Sequence, residues 1–110
     1  MNVINTAGNA IAPGTDGVLG AFSVATIAAD GVVKFDPTNK LATLYPFAAT
    51  TYAMVLPKYS SAALAQSIKD LVTYAAFECP KTTFVDGFAQ TTKTSDLGKV
   101  ILAQVAKIGS

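Results

Sequence analysis

The chain has no arginine, no histidine and no tryptophan, and a single cysteine, Cys79. Each absence narrows what it can do. Without arginine there is no planar guanidinium for bidentate contact to phosphate, carboxylate or guanine. The basic residues are all lysines, and they form no run. Neither a nucleic-acid face nor a phosphate clamp of the usual kind is expected. Without histidine, proton transfer near neutral pH and most zinc sites lose their commonest side chain. One cysteine excludes an intrachain disulfide. Charge is scarce as well: charged residues make up 14% of the chain, against roughly 25% in a typical globular protein. The net charge is +1.

What is present is apolar. Hydrophobic residues account for 51% of the 110 positions, and the mean hydropathy is +0.42. So few charges cover a surface thinly. Threonine, serine, asparagine and glutamine cover the rest, or part of the surface is buried against another body, as in an oligomer or a piece of a larger protein. The length suits one domain, 1–110, with its own core. Pro46, Pro57, glycines and threonines interrupt every apolar run, and none reaches the roughly 18 residues of a membrane span. Met1–Thr6 lacks a basic region followed by an apolar core, so no signal peptide is read there.

The pattern along the chain is mixed α/β. Residues 3–5 and 10–13, joined through Gly8-Asn9, read as a hairpin with the pair supplying positive φ. Thr15 is placed to cap a helix with Asp16 in its first turn, one face formed by Val18, Leu19, Phe22 and Ala25, and an end near Asp30-Gly31. Gly17 and Gly20 weaken that helix. Residues 32–35 read as a strand and Asp36–Asn39 as a turn. From Thr51 the alternation of Tyr52, Met54 and Leu56 with Ala53 and Val55 predicts a strand with two apolar faces, covered on both sides. Ser60 or Ser61 caps a helix to about Cys79, with Leu64, Ile68, Leu71, Val72, Ala75 and Cys79 as its apolar stripe. Pro80 marks its stop. A loop with Gly87-Phe88 leads to a last helix, capped by Thr94 or Ser95. That helix has Asp96 in its first turn, Leu97, Ile101, Val105 and Ile108 as buried face, and Gly109 at its end.

Three patterns in this order resemble one family. Asn5-Thr6-Ala7-Gly8-Asn9-Ala10-Ile11-Ala12-Pro13 is similar to the "N-x-x-G-x-x-V-x-P" hairpin of the phosphate-binding proteins of ABC transporters. Tyr45-Pro46-Phe47 with Thr51–Leu56 is similar to that family's "Y-P-I" segment and following strand. Residues 60–78 with Gly87-Phe88-Ala89 resemble its long helix and its "G-Y-A". Cys79, where the family often has glycine, Gln90-Thr91-Thr92 in place of "P-L-P", and the missing tryptophan depart from the pattern. The resemblance covers nearly the whole chain and maps to the last third of the family's two-lobe fold.

The resemblance implies part of a type II periplasmic-binding-protein lobe, a mixed sheet with flanking helices. It implies a non-enzymatic, phosphate-type oxyanion binder of an ABC uptake system, periplasmic or extracellular, with the rest of the binding protein and a membrane permease as partners. The family's phosphate ligands lie upstream of the matched region, so no ligand residue carries over to this chain. The alternative reading is a structural or assembly subunit that has lost ligand binding and forms a homo-oligomer through its charge-poor surface.

Read by themselves, the chemistry-bearing residues point away from catalysis. Cys79 has no histidine to activate it and sits on the helical stripe. Asp16, Asp30, Asp36, Asp70, Glu78, Asp86 and Asp96 fall mostly at helix starts and turns, where capping and solvation explain them. Residues 30–39 lack the ligand spacing of a calcium loop. Gly14, Gly17 and Gly20 lack the spacing and context of a dinucleotide fingerprint. The helix starts at Thr15, Ser61 and Ser95 offer backbone N–H groups as any helix does. Tyr45, Phe47, Tyr52 and Phe88 read as packing groups. No catalytic, ligand-binding or metal residue and no cofactor is therefore expected.

Overall fold

The structure is a computed structural model, and it describes residues 1–79 and 87–110. In chain order the elements are β1 (Val3–Ile4), β2 (Ala10–Ile11), α1 (Thr15–Ser23), β3 (Thr26–Ile27), β4 (Val33–Lys34), α2 (Ala62–Phe77) and α3 (Asp96–Ala106). Mixed α/β is therefore the observed class. Among the described residues the mixed sheet expected from the sequence is replaced by two separate two-stranded antiparallel ladders. Val3 pairs with Ile11 and Ile4 with Ala10; Thr26 pairs with Lys34 and Ile27 with Val33. The chain divides into two compact units. One comprises Met1–Ala28 and Val32–Thr50 with residues 87–89; the other comprises Ala29–Gly31, residues 51–79 and Gln90–Ser110.

The first unit is organised by its hairpin. Gly8 takes φ +85°, and Asn9 stays at negative φ, so glycine alone meets the turn's demand for a left-handed residue. Helix α1 differs from expectation at both ends. Its cap is Gly14, with no side-chain cap bond. Thr15 lies inside the helix and its hydroxyl donates to the Phe88 carbonyl at 3.3 Å. The helix stops at Ser23 rather than near Asp30. Thr26 and Ile27 enter β3 instead, their β-branched side chains favouring strand, and Gly31 at φ +93° serves the turn into β4.

Gly17 and Gly20 owe their presence to close approach. A Cβ on Gly17 would come within 2.9 Å of Tyr45 Cβ, and one on Gly20 within 2.8 Å of the Thr43 carbonyl. Tyr45 N donates to the Gly17 carbonyl at 3.1 Å across this contact. Ala21, Val33 and Leu44 form the buried apolar centre of the unit. Phe22 and Phe35 meet edge to face at 5.0 Å.

In the second unit Ser61 caps α2, its hydroxyl accepting from Leu64 N at 3.2 Å. Ser95 caps α3, accepting from Gly98 N at 3.0 Å while donating to the Thr92 carbonyl at 2.7 Å. Each satisfies one of the orphan donors of a first turn. Helices α2 and α3 pack on one another. The stripe read for α2 is corrected here. Ala65 and Phe77 are its buried residues, Ile68, Val72 and Cys79 are half-buried, and Leu64, Leu71 and Ala75 are exposed. Gln66, Lys69, Asp70 and Thr73 leave a broad apolar arc on this helix, so helical spacing alone fits more than one row within that arc.

The α3 face holds better. Leu97, Ile101 and Val105 are half-buried and Ile108 is buried. Gly109, however, does not end the helix. Its N–H donates to the Pro57 carbonyl and its carbonyl accepts from Tyr59 N, both at 2.9 Å, in a parallel bridge with Lys58.

The largest departure concerns residues 51–56. The strand expected to be covered on both sides is absent, and every residue from Thr51 to Lys58 is exposed.

Candidate functional site

The most elaborate polar arrangement centres on Asn5, which is 5% exposed. Its amide Nδ2 donates to the carbonyls of Leu41 (3.2 Å), Ala42 (3.0 Å) and Leu44 (3.1 Å), sharing two hydrogens among three acceptors. Its Oδ1 accepts from Ala7 N at 3.0 Å and Asn9 N at 3.1 Å. One side chain thus closes the hairpin turn and ties it to residues 41–44. Every polar atom of the amide is engaged, which leaves nothing for a ligand. The sequence reading placed Asn5 in a hairpin motif but did not identify it as core. The signal was available: an asparagine just ahead of a Gly-containing turn can bond its own backbone in an Asx arrangement.

The recesses among the described residues include two lined in part by polar groups. The larger, about 380 Å³, lies at the start of α1 and is lined by residues of β2, by Gly14–Gly17 and by Thr43. The exposed Asp16 carboxylate stands in this first turn, and it opposes an anion there as the helix dipole favours one. The smaller, about 170 Å³, lies around Phe77, Glu78 and Gln90–Lys93. Its ammonium, Lys93 Nζ, sits 3.8 Å from Glu78 Oε1 and 5.8 Å from the Phe77 ring centre. Both partners are largely solvated, so the pair adds little. Thr50 Oγ1 is buried without a hydrogen-bond partner, and it lines neither recess.

The carboxylates are dispersed. Asp36 Oδ1 accepts from the Thr38 hydroxyl at 2.6 Å and the Thr38 N–H at 2.9 Å. These bonds hold its carboxyl below the usual range. Asp70 accepts from Gln66 Nε2 at 2.8 Å, and Asp96 lies 3.3 Å from Lys99 Nζ. Asp86 lies outside the described residues. Among the described residues no three Cys, Asp or Glu side chains converge in a way that could hold a metal ion. No described helix is long and apolar enough to cross a membrane. Comparison with protein-family models, curated proteins and solved structures gave no match.

The aromatic residues behave unevenly. Tyr45 is half-buried and packs edge to face with Phe47 at 6.1 Å. Phe47, Tyr52 and Phe88 are 72%, 52% and 67% exposed, far more than the packing role read for them requires.

Proposed function

We propose that this chain is a segment of a non-enzymatic solute-binding protein of the phosphate type, in which it supplies scaffold and hinge rather than ligands. One observation carries the reading. Parts of the three stretches that resemble that family, 5–13, 45–47 and 87–89, fall in one compact unit, while the remaining parts, 51–56 and 60–78, belong to the other. Asn5 holds residues 41–44 just ahead of Tyr45, Gly17 receives Tyr45 N, and Thr15 bonds Phe88. On this reading the phosphate contacts come from the rest of the binding protein, a membrane permease receives the solute, and the setting is periplasmic or extracellular.

Thermal unfolding with inorganic phosphate tests it. The isolated chain should show no shift. A complex with an N-terminal partner chain that carries the ligand residues should be stabilised by about 2.7 kcal/mol at a phosphate concentration 100 times Kd. Tight phosphate binding by the isolated chain would overturn the reading. So would failure of the two chains to associate.

A second reading, a structural subunit that assembles with copies of itself, is favoured by a different observation. The segment from Thr51 to Lys58 is exposed throughout although its residues are mostly apolar.

A further inference from the structure

We propose that the peptide bonds between Ala53 and Leu56 form a proteolytic processing site for an endopeptidase that reads bulky apolar side chains. The inference stands apart from both readings above and requires no lasting partner on this segment.

Three observations carry it. First, the main chain is open. Every residue from Thr51 to Lys58 is exposed, and among the described residues no hydrogen bond reaches the main chain of Ala53, Met54 or Val55. An extended main chain with open N–H and C=O groups is the form in which a peptide adds to a binding edge, and exposed loops of this kind are where nicking concentrates. The Leu56 N–H donates to the Tyr59 hydroxyl at 3.1 Å, a single exposed bond at the edge of the window.

Second, the sequence selects the enzyme and bounds the window. No charged residue occurs from Leu41 to Pro57, so an enzyme that requires a lysine or a carboxylate finds no bond here. Met54 and Leu56, 97% and 63% exposed, offer bulky apolar groups instead. Beyond Leu56 the main chain is engaged. Pro57 brings an imide bond without an N–H, its carbonyl accepts from Gly109 N, and Tyr59 N donates to the Gly109 carbonyl, both at 2.9 Å.

Third, a cut here spares both cores. Ala21, Val33 and Leu44, buried in the first unit, all precede it, and Ala65, Phe77 and Ile108, buried in the second, all follow it. Hydrolysis of Met54–Val55 consumes one water. The C–N bond breaks, the water's hydroxyl joins the Met54 carbonyl carbon, and its protons leave a Met54 carboxylate and a Val55 ammonium.

Thermolysin, which cuts ahead of bulky apolar residues, tests the proposal on the folded full chain, with fragments weighed by mass spectrometry. Leu56 and Leu71 give an internal comparison: they are 63% and 61% exposed, but Leu71 lies within α2. Cutting between Ala53 and Leu56 should run about 100-fold or more faster than cutting ahead of Leu71. The nicked product should keep the far-ultraviolet circular dichroism of the intact chain. In Met54→Lys, trypsin should cut after position 54 about 10-fold or more faster than after Lys58, which is equally exposed but lies in the paired stretch. Similar thermolysin rates in the window and ahead of Leu71 would overturn the proposal. So would equal trypsin rates after positions 54 and 58, or loss of the helical signal once the window is cut.

Discussion

The turn around Asn5 and the segment Thr51–Leu56 are opposites. At Asn5 a buried polar side chain has all its hydrogen-bonding capacity met within the chain, by carbonyls at 41, 42 and 44 and by the N–H groups of Ala7 and Asn9. At 51–56 apolar side chains face water and the backbone from Ala53 to Val55 is unpaired among the described residues. A local polar network specifies its own partners by geometry, because each donor and acceptor must be met where it stands. Apolar surface specifies only that something should cover it. The first region is therefore complete in one chain, and the second is left uncovered by the described residues.

Substitutions sharpen that contrast. Asn5→Ala removes five bonds, among them the buried one to the Leu44 carbonyl, so it should cost about 3 kcal/mol in urea unfolding followed by circular dichroism. A cost well below 1 kcal/mol would mean that the turn does not depend on this side chain. Gly98→Ala probes the second unit, where an added Cβ would overlap the Thr92 carbonyl oxygen. Moving that backbone should cost about 2 kcal/mol. Ser95→Ala removes the α3 cap and should cost about 1 kcal/mol. Met54→Lys, at a fully exposed position, should change the stability of the dilute chain by less than about 0.5 kcal/mol. A larger loss would mean that 51–56 is already packed within one chain.

The smallest effect is electrostatic. The Thr38 bonds depress the Asp36 pKa below its ordinary value of 3.8. Their contribution to the turn is present above that ordinary value and is lost as pH falls through the depressed one. An NMR titration of the Asp36 carboxyl carbon should therefore give a midpoint under 3.8, and Thr38→Val should raise it.

How much of this was legible in the sequence follows the same division. The turn at Asp36–Asn39, the capping by Ser61 and Ser95 and the half-buried α3 row through Leu97, Ile101 and Val105 depend on short-range chemistry and could be read directly. The end of α1 could not, because pairing of Thr26–Ile27 with Val33–Lys34 overrides a helical pattern that continued past Ser23. Nor could the tightness at Gly17 and Gly20, which depends on Tyr45 and Thr43 from a distant stretch. The buried row of α2 was ambiguous because its apolar arc is broad, and packing beyond the helix decides which edge of that arc turns inward. The strand at 51–56 was read from alternation alone, and no described part of the chain covers that segment. The absence of arginine and histidine bore on the candidate site more than any motif did, since it removed the common anion and proton-transfer groups before any geometry was known.

Hydrogen exchange read amide by amide tests the contrast most directly. In dilute solution the amides of Ala7 and Asn9 should be protected, while those of Ala53, Met54 and Val55 should exchange at close to the rate of an open chain. Protection of Ala53–Val55 in the dilute monomer, or rapid exchange at Ala7 and Asn9, would contradict the account.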